Sequence, residues 1–166
     1  MFPGNYPGNY RVPKPLRGIA RSCWLDRCGG GRVLEFNALE RATLRDFTTI
    51  YGNDEPRLAA QIAAACPVSR LNTSGGFFTE VVVNQAACEK MIMWGPLGDH
   101  YVHVAGMEHG LGLMLFFKEG YLSLIEGYSP AAEDTSDIDF STVAFGPLTE
   151  IIVPTAEAVR PATSEK

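Results

Sequence analysis

Val68-Ser69-Arg70-Leu71-Asn72-Thr73-Ser74-Gly75-Gly76-Phe77-Phe78-Thr79-Glu80-Val81-Val82-Val83 is the stretch that decides the fold. Side chains of an extended chain alternate between two faces, and β-branched and aromatic residues suit that geometry. Val68–Leu71 and Phe77–Val83 read as two strands, and the segment Asn72 to Gly76 supplies the glycines a hairpin turn needs. Downstream, Tyr101–Met107 reads as a third strand. Leu111–Phe117 and Tyr121–Glu126 read as a tight hairpin about Lys118-Glu119-Gly120, and a last strand or two falls between Thr142 and Val153. A short helix over Ala86–Met93 is expected to interrupt this series.

Upstream the period changes. Phe36, Leu39, Phe47, Ile50 and Tyr51 share one face at helical spacing, with Arg41, Arg45 and Thr48 opposite. The pattern predicts a helix from Ala38 to Tyr51, capped by Asn37, with Glu40 placed to reach back to the cap amide and Gly52 as the stop. A second helix follows, with Asn53 or Asp54 as cap and Pro56 in its first turn, where a missing N–H costs nothing. Leu58, Ile62 and Ala65 are its inner face and Pro67 its end. Two helices followed by a run of strands make the fold class α+β: two N-terminal helices packed on a mostly antiparallel sheet of five to six strands.

The chain has 166 residues, a length that suits one domain. We divide it into an irregular basic arm over 1–32, a single α+β domain over 33–153 and a flexible tail over 154–166. The arm opens on a doubled Pro-Gly-Asn-Tyr, residues 3–6 and 7–10, too short for a repeat fold. It is either a plain extension or a clasp for a partner or second subunit, so a homodimer through the arm is one expectation. Hydrophobic content of 46% and charged content of 20% argue against global disorder. The longest apolar run, Leu111 to Phe117, is far short of the roughly 20 residues a membrane helix needs. The start, Met-Phe-Pro-Gly-Asn-Tyr, has neither the basic residues nor the apolar stretch of a secretory signal, which makes the cytoplasm the expected location. Cys23, Cys28, Cys66 and Cys88 offer only one close pair. A structural zinc wants two, so reduced thiols are expected, with no metal and no other cofactor.

Charge is divided unevenly. The first fifty residues hold eight basic side chains against four acids, and the remainder holds six against fifteen. From Glu119 to Val159 there is no Lys or Arg, but there are eight carboxylates. Such a field attracts a basic partner and repels nucleic acid and anionic membrane. Tyr6, Tyr10 and Trp24 could stack bases, but eight basic residues spread over fifty positions make a poor nucleic-acid footprint. Glu133, Asp134, Asp137 and Asp139 form the densest acidic loop, and they are the expected contact residues for a basic protein. The loop is not a calcium loop, because it lacks a Gly at the sixth position and a Glu at the twelfth.

The histidines His100, His103 and His109 fall within ten residues, beside Asp99 and Glu108. Strand alternation sends His100 and His103 to opposite faces, which argues against a shared metal ion. Glu126 ends a strand whose inward residues are expected to be Leu122 and Leu124, and alternation places the carboxylate with them. A His109–Glu126 acid–base pair with Tyr128 near by is therefore the catalytic alternative, set against a Glu126 that only accepts loop amides. No Ser or Cys sits in a nucleophile-elbow pattern. Neither Gly110-x-Gly112 nor Gly29-Gly30-Gly31 is followed by the Lys-Ser/Thr of a phosphate loop.

Three segments, Val68-Ser69-Arg70 with Asn72 to Glu80, Gly106-Met107-Glu108-His109-Gly110-Leu111-Gly112 and Leu124-Ile125-Glu126-Gly127-Tyr128, resemble motifs of small uncharacterised single-domain bacterial proteins. The likeness covers residues 58–146, and such proteins are similar in kind to immunity proteins that guard a cell against a toxin. Two departures stand out. Ser74 and the double glycine replace a tighter Gly-x-Gly turn, and Ser129-Pro130-Ala131-Ala132 replaces an aromatic-Gly-Glu-Pro-Trp-Pro run. The resemblance implies no activity. Together with the acidic loop it gives the leading expectation: a non-enzymatic interaction protein that binds and masks a basic partner, such as a cognate toxin.

Overall fold

The computed structural model describes residues 34–150 apart from Asp54, Met93 and Trp94. The basic arm expected over 1–32 and the tail expected over 154–166 lie outside the described residues. The elements are α1 (Ala38–Tyr51), α2 (Pro56–Ala63), β1 (Ala65–Thr73), β2 (Gly76–Val83), β3 (Leu97–Val104), β4 (Leu111–Lys118), β5 (Tyr121–Tyr128) and β6 (Phe145–Glu150). The strands form one sheet in the order β1-β2-β5-β4-β3-β6, and every neighbouring pair is antiparallel. The fold is α+β, with two helices ahead of six strands among the described residues.

Both helices cover the same face. α1 starts with the reciprocal cap its sequence predicts: the Asn37 side chain accepts the Glu40 amide at 2.9 Å, and Glu40 accepts the Asn37 amide at 2.8 Å. The helix then crosses the strands. Glu40 at its start bonds to Arg70 of β1 and Thr79 of β2, whereas Tyr51 at its end donates to the Gly98 carbonyl of β3 at 2.9 Å. Leu39, Leu44, Phe47 and Leu58 fill the space between the helices and Phe77, Val81, Leu113, Leu115, Ile125 and Val102 of the sheet. This is the apolar core of the described residues, and its burial is the main force holding helices to sheet.

Among the polar side chains buried with that core, Glu40 and Gln61 are fully paired. Glu40 is 0% exposed; Arg70 meets it with two nitrogens, Nε and Nη2, each at 2.6 Å, and Thr79 donates to it at 2.6 Å. Gln61 of α2 is equally buried. Its amide nitrogen donates to the Glu89 and Gly120 carbonyls and its oxygen accepts the Leu122 amide, all at 2.8 Å. The spacing points to Leu58, Ile62 and Ala65 as the inner face of α2. Leu58 is buried and Ile62 and Ala65 pack against the core, and Gln61 joins them at the centre, where it meets main-chain groups of Glu89, Gly120 and Leu122.

Several boundaries differ from the sequence reading. The helix expected over Ala86–Met93 is absent from the described residues there, because Asn84 captures the Ala86 amide with its side chain and the Ala87 amide with its carbonyl. β1 begins at Ala65 and runs through Pro67. It lies at the sheet's edge, where a missing N–H is tolerated, and the register shifts between Pro67 and Ser69. β3 ends at Val104, short of Met107, as the chain turns through Gly106 at φ +90°. The α2 cap is Glu55, which accepts the Arg57 amide at 3.3 Å.

Candidate functional site

With both helices on one side, the register exposes a second set of side chains on the other. Phe78 of β2, Glu126 of β5 and Met114 of β4 lie opposite one another in one row. Glu80, Leu124 and Phe116 form the next row. On the other side, Gly76, Tyr128, Gly112 and Tyr101 continue the pattern across to β3. Directly opposed Cβ atoms are about 4.5–5.5 Å apart, so each row is in mutual contact range. Phe78, Met114, Phe116, Leu124, Glu126 and Tyr128 are all half-buried. At the β1 edge of this surface Leu71 is 61% exposed.

Two glycines flatten the sheet for aromatic rings, one on each face. A Cβ at Gly112 would stand 2.3 Å from the Tyr128 ring on the helix-free side. A Cβ at Gly127 would stand 2.3 Å from the Phe77 ring on the core side. Gly112 therefore serves ring packing, whereas Gly110 turns the chain at φ +61° against the Val102 carbonyl.

Glu126 does not lie with Leu122. The register between β4 and β5 shifts between Phe116 and Phe117, with Ser123 as the extra residue, its hydroxyl bonded to the Phe116 carbonyl at 3.1 Å. Leu122 and Ile125 point into the core, while Leu124 and Glu126 point to the helix-free face. This corrects the expected inward set Leu122, Leu124 and Glu126. Among the described residues no hydrogen bond or ion pair reaches the Glu126 carboxylate, and its half-burial among apolar neighbours raises its pKa above the ordinary carboxylate value.

The acidic loop closes the end of the sheet where Tyr128 lies. Thr135 is buried; its amide and hydroxyl bond to the Ser74 and Thr73 carbonyls at 3.0 and 2.8 Å, and Phe140 packs against Phe77 with ring centroids 5.2 Å apart. Its carboxylates face outward, and three of the four are fixed by the protein's own donors. Glu133 accepts the Glu108 and His109 amides, each at 2.7 Å, and these bonds pull its pKa down. Asp134 accepts the Ser136 hydroxyl at 2.6 Å and amide at 3.0 Å; Asp139 accepts the Ser141 hydroxyl and amide and the Thr142 hydroxyl. Both aspartates are held below the ordinary carboxylate range, chiefly by the serine hydroxyls. Asp137 is exposed. Among the described residues no Lys or Arg pairs with any of the four. Glu133 differs from the other three because its partners lie in another segment, the Glu108 and His109 amides, which makes it a brace between the loop and the 107–110 turn.

The same brace redirects His109. Its Nδ1 lies 3.2 Å from Glu133, and the Tyr101 hydroxyl donates to its carbonyl. No bond joins His109 to Glu126 among the described residues, so the expected pair with Tyr128 near by is not assembled. The three histidines diverge. His100 is 1% exposed, tilted against Phe47 with ring centroids 4.4 Å apart, and its Nε2 is 3.6 Å from Asp46 of α1. His103 is exposed and meets the Tyr101 ring edge-on at 5.0 Å. Among the described residues no three His, Cys, Asp or Glu side chains are grouped to hold a metal ion.

Two cavities open elsewhere. One, of about 350 Å³, is lined by Asn37, Glu40, Arg70, Asn72, Asp139 and neighbours. Their polar atoms are engaged with each other or with nearby main chain: Asn37 and Asn72 donate to the Phe140 and Ile138 carbonyls, and Arg70 is locked to Glu40. The other, of about 390 Å³, lies between α2 and Ala87-Cys88-Glu89, where Arg57 pairs with Glu89 at 3.0 Å. Neither cavity contains His109, Glu126 or Tyr128. No family model matches the chain, and no curated protein or solved structure matches it either.

Proposed function

We propose that this protein is a non-enzymatic, cytoplasmic binding module that takes a basic protein partner on its acidic surface, in the manner of an immunity protein masking a toxin. One observation carries the reading. Asp134, Asp137 and Asp139 project from a loop anchored to the sheet, and no cation of the described chain neutralises them. The serine contacts that hold Asp134 and Asp139 ionised fix the charge in place while leaving it negative. Residues 34–150 hold sixteen acidic side chains against six basic ones, so the local charge sits in a wider field of the same sign. Such a field speeds encounter with a basic partner and disfavours acidic ones.

The experiment is affinity capture from the source cell followed by co-expression. The captured protein should be basic, should arrest growth when expressed alone, and should be tolerated when this protein is present. A captured partner that is acidic, or one whose expression is harmless, would contradict the immunity reading.

A further inference from the structure

The acidic loop explains attraction over distance but not what fixes a partner in register. We propose that Glu126, with Phe78, Met114, Leu124 and Tyr128 around it on the helix-free face, is the seat for a single lysine or arginine side chain of the basic partner. This rests on the binding-module reading above and names the anchor within it.

The geometry comes from the register. Phe78 and Met114 flank Glu126 on the two neighbouring strands, and Leu124 and Tyr128 are its same-face neighbours along β5. All five side chains are half-buried, a setting in which a carboxylate loses hydration without losing access. Three other carboxylates show how this chain treats those it keeps for itself. Glu40 receives an arginine, a threonine hydroxyl and an amide. Glu133 receives two amides and a histidine ring. Glu80, one row away on the same face, receives the Ser69 hydroxyl at 2.7 Å. Glu126 alone of these four receives nothing among the described residues, and its burial raises the cost of its charge. The missing group is a cation with an apolar stem. A lysine or arginine fits that description: its methylenes would lie on Met114 and Leu124, and its charge would meet the carboxylate and the faces of Phe78 or Tyr128. Gly112 favours this arrangement, since its missing Cβ lets the Tyr128 ring rest against the neighbouring strand, 2.3 Å from where that Cβ would stand.

The probe is N-acetyl-arginine methylamide, titrated into the isotope-labelled full chain at constant ionic strength, with N-acetyl-norleucine methylamide as the uncharged control. The expected result is saturable movement of the amide signals of Phe78, Met114, Leu124, Glu126 and Tyr128 with the arginine probe and not with norleucine. Glu126→Gln, which keeps the shape, should weaken that binding by about tenfold, the size of one charge-assisted contact. As a second readout, the Glu126 carboxyl pKa should fall when the probe binds. Three outcomes would overturn the proposal: saturable shifts confined to 134–139, equal binding by both probes, or unchanged binding in E126Q. Shifts of the same five amides with protein concentration alone would assign the face to a second copy of the chain and would also overturn it. Failure of the anchor leaves the growth-arrest test of the binding-module reading intact, so the two can fail separately.

Discussion

Glu133 grips His109 twice: one carboxylate oxygen accepts the His109 amide at 2.7 Å and lies 3.2 Å from the ring Nδ1 of the same residue. The other oxygen holds the Glu108 amide at 2.7 Å. A residue that sequence reading places in the docking set thus ties the acidic loop to the turn before β4. Its pKa is lowered by those bonds, so its contribution is present above the ordinary carboxylate range and disappears as pH falls through that range and below it. Protection of the Glu108 and His109 amides, taken as exchange relative to the unfolded chain at the same pH, should be high at neutral pH, fall as the solution is acidified, and be low at every pH in Glu133→Gln. Protection that ignores both the acid and the substitution would show that the brace does not hold in solution.

Glu40 and Arg70 give the largest expected stability effect. Removing one member of a buried ion pair leaves the other charge unpaired, at a cost of about 3–5 kcal/mol. Arg70→Met should therefore lower the denaturant midpoint sharply with no change in its slope. Gln61→Leu is expected to cost about 2 kcal/mol, since it strands the buried Leu122 amide and removes a donor from the Glu89 and Gly120 carbonyls, of which Gly120 keeps the Met91 amide. A small effect in both would mean that water reaches these groups.

Glu126 behaves in the opposite sense. Its pKa is raised, so the folded state holds its proton to higher pH than the unfolded chain does. Between the two values stability falls as pH rises, and above them the charge is a net burden. Glu126→Gln should stabilise the protein at neutral pH, by under about 1 kcal/mol because the group remains partly solvated, and should have no such effect below the ordinary carboxylate range. Thermal melts at the two pH values decide this; a destabilised E126Q at neutral pH would mean that a donor does reach the carboxylate.

Gly112→Ala is a packing test of the helix-free face. The added Cβ would collide with the Tyr128 ring, and overpacking of this kind costs about 1–3 kcal/mol. The near-ultraviolet tyrosine signal should change along with the melting temperature. An unaltered signal would indicate that the ring does not rest on Gly112.

Alternation and capping made much of this structure legible. The inward set Phe77, Thr79, Val81 and Val83 follows from period two alone, and the Asn37–Glu40 cap follows from spacing. What stayed hidden depends on contacts far apart in sequence or on a local slip. The Glu40–Arg70 pair spans thirty residues, and nothing near either residue announces it. The role of Gln61 depends on three carbonyl and amide groups at the far end of the sheet. The bulge at Ser123 reverses the faces of everything before it on β5, so a strict alternation from Leu122 assigns Glu126 to the wrong side. His109 follows the same logic: the residue that meets it comes from a loop twenty-four positions away, not from the adjacent strand.

The most direct measurement is the association rate of the captured basic partner with the native chain and with Asp134→Lys/Asp137→Lys, followed by stopped flow at low and at physiological salt. At low ionic strength the charge-reversed protein should associate about tenfold or more slowly, and the difference should shrink as screening shortens the reach of the field to about 8 Å. Equal rates for the two proteins at low salt would contradict the claim that this acidic surface guides a partner in.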